Sequence, residues 1–288
     1  MRFTKMHGLG NDYIYIDGLA QDLSRYDLAE LSRLLSDRHC GIGSDGIILI
    51  LPSTSADFLM RILNSDGSEA EMCGNGVRCF AKYVYEHGLT DKTELTVETG
   101  AGLIRPHLAI ENGKVRSVRV DMGEPRLTRG EIPMTGDPGD AAQGVLVPLG
   151  EYQYTAACVS MGNPHCVIFV AEICDYMVLE DGPQIERHEL FPRKTNVEFV
   201  QVLGRDEVRM RVWERGAGET MACGTGACAT TVAAVLGGHC DRRVTVHLLG
   251  GDLQIEWSAA DNHVYMTGPA TEVCEGEINP ELIAPAAL

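Results

Sequence analysis

Residues Glu69–Gly76 read EAEMCGNG and residues Glu219–Gly226 read ETMACGTG, so both segments have the form Glu-x-x-x-Cys-Gly-x-Gly. In each, a strand-like stretch that ends in turn residues precedes the Glu, and good helix formers follow the last Gly. The pattern predicts that Cys73 and Cys223 each lie where a helix begins. Unpaired N–H groups and the helix dipole stabilise negative charge there. This position therefore favours a lowered thiol pKa, and the chain has two candidate reactive cysteines.

A second pair of landmarks repeats at almost the same distance. The cysteine motifs are 150 positions apart, and HGLGN at His7–Asn11 is echoed by SMGNPH at Ser160–His165, 152 positions later. Nearly equal offsets indicate two copies of one architecture, and 288 residues are enough for two domains. We expect an N-terminal lobe of residues 1–121 plus 269–288, which carries Cys73. A C-terminal lobe of residues 122–268 would carry Cys223.

Strand-like runs are more frequent than helical ones along the chain. The segment after each thiol is the exception, because Gly226–Leu236 carries no charge and Val77–Tyr85 carries few charges, which is typical of helices buried on nearly all sides. The expected fold class is α/β in the broad sense (α+β), with two pseudo-symmetric lobes. Each lobe would be a mixed or antiparallel sheet wrapped around a central buried helix. A separate amphipathic helix is predicted at about Leu28–Arg38, with Asp27 and Glu30 as a capping box.

Composition and charge limit the class of protein. With 44% hydrophobic and 23% charged residues, the chain is typical of a soluble globular protein. It has no apolar run of membrane-spanning length and no secretory signal, so we expect a cytoplasmic protein without a membrane partner. A net charge of −17 argues against nucleic acid. Ten cysteines without regular spacing favour free thiols in a reducing compartment.

Neither a metal nor a cofactor is expected from the sequence. Three His-Cys dipeptides occur, but adjacent residues on a strand point to opposite faces, and the spacing of structural zinc sites is missing. The chain contains no Walker loop and no dinucleotide fingerprint, and none of its lysines has a recognisable Schiff-base context.

Two opposed thiols, one ionised and one protonated, can remove a proton from one face of a carbon and deliver another to the opposite face. Such a reaction inverts a stereocentre and is nearly symmetric, which suits a repeated fold. A substrate α-carboxylate held by the two helix N-termini would spread and stabilise the carbanion charge. The predicted reaction is therefore inversion of a stereocentre that bears a carboxylate.

The residues also carry a resemblance that spans essentially the whole chain. The chain resembles the diaminopimelate epimerase family, whose members interconvert LL- and meso-diaminopimelate without pyridoxal phosphate, in lysine and cell-wall precursor biosynthesis. The motifs that carry the resemblance are Met6–Asp12, Asn64–Ser68, Cys73–Cys79, Met161–His165, Asn196 and Glu214–Thr220.

The resemblance implies a role for each matched residue. Cys73 and Cys223 would be the two acid/bases of a thiolate/thiol mechanism. Gly74, Asn75, Gly224 and Thr225 would bind the reacting carboxylate, and the rest of the substrate would be held by Asn11, Asn64, Asn163, Asn196, Glu214 and Arg215. His165 and Glu214 would modulate the pKa of the thiols. A homodimer is implied by analogy.

Three positions depart from the family pattern. Gly46 stands where some members carry a Gln that contacts the substrate, Thr225 replaces a Ser, and Cys274 stands where some members have a Tyr at a dimer contact.

Two other functions remain open. A proline-type racemase would use the same thiols on a smaller substrate, and a thiol-redox protein would cycle them through a disulfide. The set of Asn and Arg residues argues against the first, and the lack of a Cys-x-x-Cys motif argues against the second.

Overall fold

The computed structural model describes residues 1–283, which form two compact units. Unit 1 comprises Met1–Val120 together with the described residues from Gly268 onward, and unit 2 comprises Asp121–Thr267. Residues 284–288, which end the N-terminal lobe predicted above, lie outside the described residues. Between residues 1 and 283, no helix is both long enough and apolar enough to cross a membrane.

Short strands make up most of the regular structure. The strands are β1 (Arg2–Gly8), β2 (Asn11–Asp17), β3 (Gly46–Leu51), β4 (Phe58–Asn64), β5 (Glu69–Ala70), β6 (Val97–Thr99), β7 (Gly102–Ile104), β8 (His107–Glu111), β9 (Lys114–Asp121), β10 (Val145–Leu149), β11 (Tyr152–Ser160), β12 (Pro164–Phe169), β13 (Asn196–Gly204), β14 (Glu207–Glu214), β15 (Gly218–Glu219), β16 (Arg243–Leu248), β17 (Gly251–Trp257), β18 (Val264–Gly268) and β19 (Thr271–Glu277). The helices are α1 (Leu28–Ser36), α2 (Gly74–Glu86), α3 (Gly182–Glu186), which follows a π-helical turn at Met177–Asp181, and α4 (Gly224–Leu236).

The sheet of unit 1 has the order β19-β1-β2-β3-β4-β6-β7, with β5 added beside β4. Strands β2 and β3 are parallel, as are β4 and β6, and the other pairs are antiparallel. Helix α2 contacts β1, β2 and β3, while α1 contacts β3 and β4. Ile14, Ile47 and Leu49 are buried with Leu31 and Leu35 of α1 in one apolar cluster. Strand β3 is therefore buried on both faces.

Unit 2 repeats this topology. Its strands follow the order β10-β11-β12-β13-β14-β16-β17, with β15 beside β14, and the parallel pairs are again β12 with β13 and β14 with β16. Strand β18 continues this sheet beyond β17. Helix α4 contacts β11, β12, β13, β14, β16 and β17, so the sheet curves around it. Helix α3 packs on β13 and β14, as α1 packs on β3 and β4.

The predicted fold class is confirmed, since each unit holds a mixed sheet against a buried helix. Ten of the thirteen residues of α4 are buried, as the uncharged segment predicted. A turn at Asn112-Gly113 joins β8 to β9 as a hairpin, with positive φ at both residues. Helix α1 ends at Ser36, two residues earlier than predicted. Asp27 caps it, but Glu30 pairs with Arg33, so the reciprocal half of the predicted capping box is missing.

Candidate active site

Cys73 and Cys223 are the N-cap residues of α2 and α4, the positions that the repeated motif predicts. Each has an extended backbone, and each sulfur accepts a hydrogen bond from the N–H group three residues on. The distance is 3.3 Å from Gly76 N and 3.4 Å from Gly226 N. A sulfur at this position satisfies one of the N–H groups that a helix leaves without an intrahelical partner.

The expectation of lowered thiol pKa values is wrong in its net direction. Burial raises the pKa of Cys73, although the N–H groups of Gly76 and Asn75, the Tyr13 hydroxyl and the Arg78 charge each lower it in part. Burial raises the pKa of Cys223 further, and the negative charges of Glu214 and Glu198 add to the increase. The contribution of the helix start is present in both cases, but the loss of water around the sulfur outweighs it.

In unit 1, Asn11 connects Cys73 to the partly exposed carboxylate of Asp45. Its Oδ1 lies 3.3 Å from both Cys73 Sγ and Asn75 Nδ2, and its Nδ2 donates to Asp45 Oδ2 at 2.7 Å. Because the Asp45 carboxylate can only accept from this amide, it fixes the side of Asn11 that carries the oxygen. An acceptor therefore faces the Cys73 sulfur.

Two residues beside Cys73 were not predicted from the sequence. The Tyr13 hydroxyl hydrogen-bonds to the thiol, and the pKa of Tyr13 is raised in turn by Cys73 and by burial. The guanidinium of Arg78 is fully buried, donates to Gly74 O at 3.1 Å and to Asn75 Oδ1 at 2.9 Å, and braces the first turn of α2. An internal comparison would have found Tyr13, because it lies 152 positions before His165.

In unit 2, a chain of hydrogen bonds leads from a buried carboxyl group to Cys223. Glu198 Oε1 lies 2.6 Å from His165 Nδ1, and His165 Nε2 lies 3.0 Å from Asn163 Oδ1. Asn163 Nδ2 donates to Thr225 Oγ1 at 3.2 Å, and that oxygen lies 3.5 Å from Cys223 Sγ. The structure thus connects Asn163, His165 and Thr225 with Cys223, and it adds Glu198, which the sequence analysis did not select.

The remaining predicted residues have other polar partners. Asn196 donates to Pro164 O at 2.9 Å and accepts from Arg215 N at 2.8 Å, so its amide braces the backbone. The Arg215 guanidinium contacts Arg193 O at 3.3 Å. Asn64 Nδ2 donates to Ser68 Oγ at 3.0 Å, and Glu214 accepts from the Thr220 hydroxyl.

The glycine at position 46 has a packing reason in this chain. A Cβ added to Gly46 would lie 2.2 Å from Leu63 O on the neighbouring strand, so any side chain there requires a backbone shift. The Glu of each cysteine motif also has a structural partner. Glu69 pairs with Arg61, and Glu219 pairs with Arg211, on the adjacent strand in each unit.

One group in the described part of the chain brings metal-ligand atoms close together. His87 Nε2 lies 3.0 Å from Glu272 Oε2, and Glu275 lies beside them. It contains neither of the thiols nor any other predicted site residue.

Solved structures define the class of fold first. The chain superposes on a phenazine biosynthesis protein from Bacillus anthracis with a TM-score of 0.71 at 14% identity, covering 97% of this chain and 99% of that one. It superposes on a hydroxyproline epimerase from Agrobacterium vitis, solved with trans-4-hydroxy-L-proline, with a TM-score of 0.68 at 16% identity over 96% and 91% of the two chains. The chain thus has the repeated α+β fold of these proteins, and at such identities the likeness concerns the fold alone.

Sequence similarity narrows this class to one family. The sequence model of diaminopimelate epimerase matches residues 3–128 and 157–273. The diaminopimelate epimerase of Moorella thermoacetica is 58% identical over 96% of this chain and 99% of its own. The chain belongs to the diaminopimelate epimerase family.

Proposed function

We propose that this chain is an isomerase that interconverts LL-2,6-diaminopimelate and meso-2,6-diaminopimelate, a step of lysine and cell-wall precursor biosynthesis. The observation that carries the proposal is the family match over both halves of the chain, together with a cysteine at the N-cap of each central helix. The inversion of a stereocentre that the doubled motif predicts agrees with this family.

The reaction proposed is a two-base inversion by Cys73 and Cys223. One thiolate removes the α-proton of the substrate, and the other thiol returns a proton to the opposite face of the same carbon. The reverse reaction exchanges the two roles. General acid–base catalysis of this kind contributes about 10²–10⁴-fold to the rate. Raised pKa values for both sulfurs support proton-bearing groups, and a positioned network beside each sulfur supports a functional site.

The helix starts are the proposed carboxylate sites. Gly74 and Asn75 begin α2, and Gly224 and Thr225 begin α4. N–H groups in the first turn have no intrahelical acceptor and point along the axis towards an anion. Negative charge that develops on the α-carboxylate when the proton leaves would meet these fixed donors, which lowers the barrier.

The distal part of the substrate is proposed to bind Asn11, Asn64, Asn163, Asn196, Glu214 and Arg215. The exposed guanidinium of Arg215 suits a carboxylate, and Glu214 suits an ammonium group. His165 and Glu214 are proposed to modulate the thiols. The Coulombic effect of Glu214 on the pKa of Cys223 supports this role for the carboxylate.

The decisive experiment is proton NMR of diaminopimelate in D₂O with reduced enzyme, comparing the wild type with Cys73→Ala and Cys223→Ala. We expect deuterium at the α-carbon and LL/meso interconversion with the wild type, and no interconversion with either variant. Absence of exchange with the wild-type enzyme under reducing conditions would overturn the proposal. Circular dichroism of the variants checks that both remain folded.

Proline as a second substrate separates the alternative racemase, which would exchange proline and leave diaminopimelate untouched. The likeness to the hydroxyproline epimerase concerns the fold, so it favours neither substrate. A thiol-redox protein would show no exchange with either compound, and its activity would require the disulfide. We expect oxidation to abolish epimerisation and reductant to restore it.

Assembly and location complete the proposal. We propose a homodimer, which β19 supports because it is the last strand at one side of the described unit 1 sheet and leaves Val273 54% exposed. A monomeric mass in analytical ultracentrifugation would contradict it.

We also propose a cytoplasmic location, since all ten cysteines are free thiols, as expected in a reducing compartment. Cell fractionation followed by immunoblotting tests this location.

A further inference from the structure

Glu198 is the most unusual group near either thiol. Its side chain and that of His165 are both fully buried, and Glu198 Oε2 has no hydrogen-bond partner among the described residues. Burial raises the pKa of Glu198, and His165 offsets this increase in part. A buried carboxyl group with one unpaired oxygen costs free energy, so packing alone does not account for it.

The fold does not need a carboxyl group at this position. His165 faces Asn196 in the pairing of β12 with β13, as Tyr13 faces Gly46 in the pairing of β2 with β3. Glu198 therefore corresponds to Ile48. The correspondence extends to the helices, because a Cβ on Gly226 would meet Glu198 Oε1 at 2.8 Å and a Cβ on Gly76 would meet Ile48 Cδ1 at 2.7 Å. Unit 1 thus packs an isoleucine in the same place.

The hydrogen bonds that lead from His165 to Cys223 all run in one direction, because each residue donates to the next one along the series. Asn163 uses its N–H₂ group towards Thr225 and presents Oδ1 to His165, so His165 Nε2 must carry a proton. At the other nitrogen, one further proton is shared with Glu198 Oε1. Because Thr225 Oγ1 accepts from Asn163, its own hydrogen is left to point at Cys223 Sγ.

We propose that Glu198 is a positioning residue that holds the proton of His165 on Nε2, and thereby orients the Asn163 amide so that the Thr225 hydroxyl donates to the sulfur of Cys223. We call the series Glu198, His165, Asn163, Thr225 the relay. It deepens the proposed function, on which it rests, because Cys223 is the thiol that it serves. An ionised sulfur gains most from the relay, since a hydrogen bond to a charged acceptor is the stronger kind.

A simple charge effect of Glu198 predicts the opposite result. The charged and titratable groups that act on Cys223 are Glu198 and Glu214, and those that act on Glu198 are His165 and Glu214. As an isolated negative charge, Glu198 would oppose ionisation of the sulfur. The pair of Glu198 and His165 shares one proton between its two members, so it is neutral as a whole, and the direction of the relay becomes the larger effect.

The test compares Glu198→Gln with Glu198→Ile. A Gln amide can donate to His165 Nδ1 and keep the Nε2 proton in place, whereas an isoleucine packs as Ile48 does but leaves the imidazole free to change its tautomer. The readout is the rate at which iodoacetamide alkylates Cys223 at several pH values, without substrate. Tandem mass spectrometry of the peptide locates the label.

We expect Cys223 of the Glu198→Gln variant to be alkylated at a rate within about threefold of the wild-type rate, because the relay persists. Glu198→Ile should be slower by about 10- to 100-fold, the loss expected when one hydrogen bond to an ionised group is removed. In a Thr225→Val background, where the relay lacks its last member, Glu198→Ile should have little further effect. Equal changes in the Gln and Ile variants, or faster alkylation in both, would overturn the proposal in favour of charge alone.

Two further measurements keep the outcomes apart. If Glu198→Ile does not fold by circular dichroism, Glu198→Met takes its place, because a flexible thioether fills irregular gaps. Epimerisation by the same variants is measured separately, with the loss expected in kcat for Ile and its recovery in Gln. If the alkylation rates follow the expected order but the enzyme does not epimerise diaminopimelate, the proposed function is refuted and the relay stands. If the Ile and Met variants are active and their Cys223 is alkylated at the wild-type rate, the relay is refuted.

Discussion

The symmetry of the two units allows one perturbation to be applied twice, as Gly76→Ala and Gly226→Ala. Both glycines occupy the first turn of a central helix, and neither has a positive φ. Alanine is favoured over glycine in a helix by about 1 kcal/mol. Both variants gain this helix propensity. They differ in the cost of packing the added methyl group, because its neighbours are different in the two units.

In unit 1 the new Cβ would lie 2.7 Å from Ile48 Cδ1, the mobile end of an aliphatic side chain, and 3.6 Å from Cys73 Sγ. In unit 2 it would lie 2.8 Å from Glu198 Oε1 and 3.2 Å from Cys223 Sγ. That oxygen is held by its 2.6 Å contact with His165. Overpacking typically costs about 1–3 kcal/mol. We expect Gly76→Ala to lie within about 1 kcal/mol of the wild type, and Gly226→Ala to be destabilised by about 1–3 kcal/mol.

Urea unfolding followed by circular dichroism measures the free energies, and the NMR assay measures epimerisation. Activity should fall at least about tenfold in Gly226→Ala, because a displaced Glu198 disturbs the hydrogen bonds to Cys223. Gly76→Ala should stay within a few-fold. If Gly226→Ala is as stable and as active as Gly76→Ala, the argument from the Glu198 contact is wrong.

Three further predictions concern the thiols and the motif glutamates. The acid limb of kcat/KM should lie above the pH at which an ordinary cysteine ionises, because raised pKa values leave less thiolate at neutral pH; a limb at lower pH, measured over a range of buffers, would contradict it. Tyr13→Phe should raise the pKa of Cys73 further and slow its alkylation several-fold, since a donor to the sulfur is lost; unchanged alkylation would remove Tyr13 from the site. Glu69→Gln should cost about 0.2–1 kcal/mol in urea unfolding and Glu219→Gln more, because the Arg61–Glu69 pair is exposed and the Arg211–Glu219 pair is mostly buried; the reverse order would contradict this reading.

The sequence was sufficient for the repeated architecture. Cysteine followed by Gly-x-Gly and a run of small or apolar residues predicts a buried helix with a thiol at its start, and both helices begin one residue after the thiol. The outer strands were harder to predict from the sequence. In β19 nearly every residue is exposed, so the chain shows no alternation from which its pairing with β1 could be predicted.

The sign of the thiol pKa shift could not be predicted, because two opposing effects decide it. The helix start is a local feature that the motif reveals, whereas the burial of each sulfur depends on strands that are distant in sequence. Cys73 meets Asn11 and Tyr13 from β2, and Cys223 lies near the charge of Glu198 from β13. The motif reveals only the effect of the helix start. The larger effect, which is the burial of the sulfur, is seen only in the folded structure.

The repeat also explains where the two halves must differ. A symmetric backbone places equivalent positions near the start of both central helices, yet these positions hold Tyr13 and Ile48 in unit 1 and His165 and Glu198 in unit 2. Asp45 turns the Asn11 oxygen towards Cys73, while His165 turns the Asn163 oxygen away from Thr225. An acceptor thus faces one sulfur and a donor reaches the other. The proposed two-base mechanism requires two thiols that differ by one proton at the start of each turnover, and the side chains behind the helices differ in the way that this proposal needs.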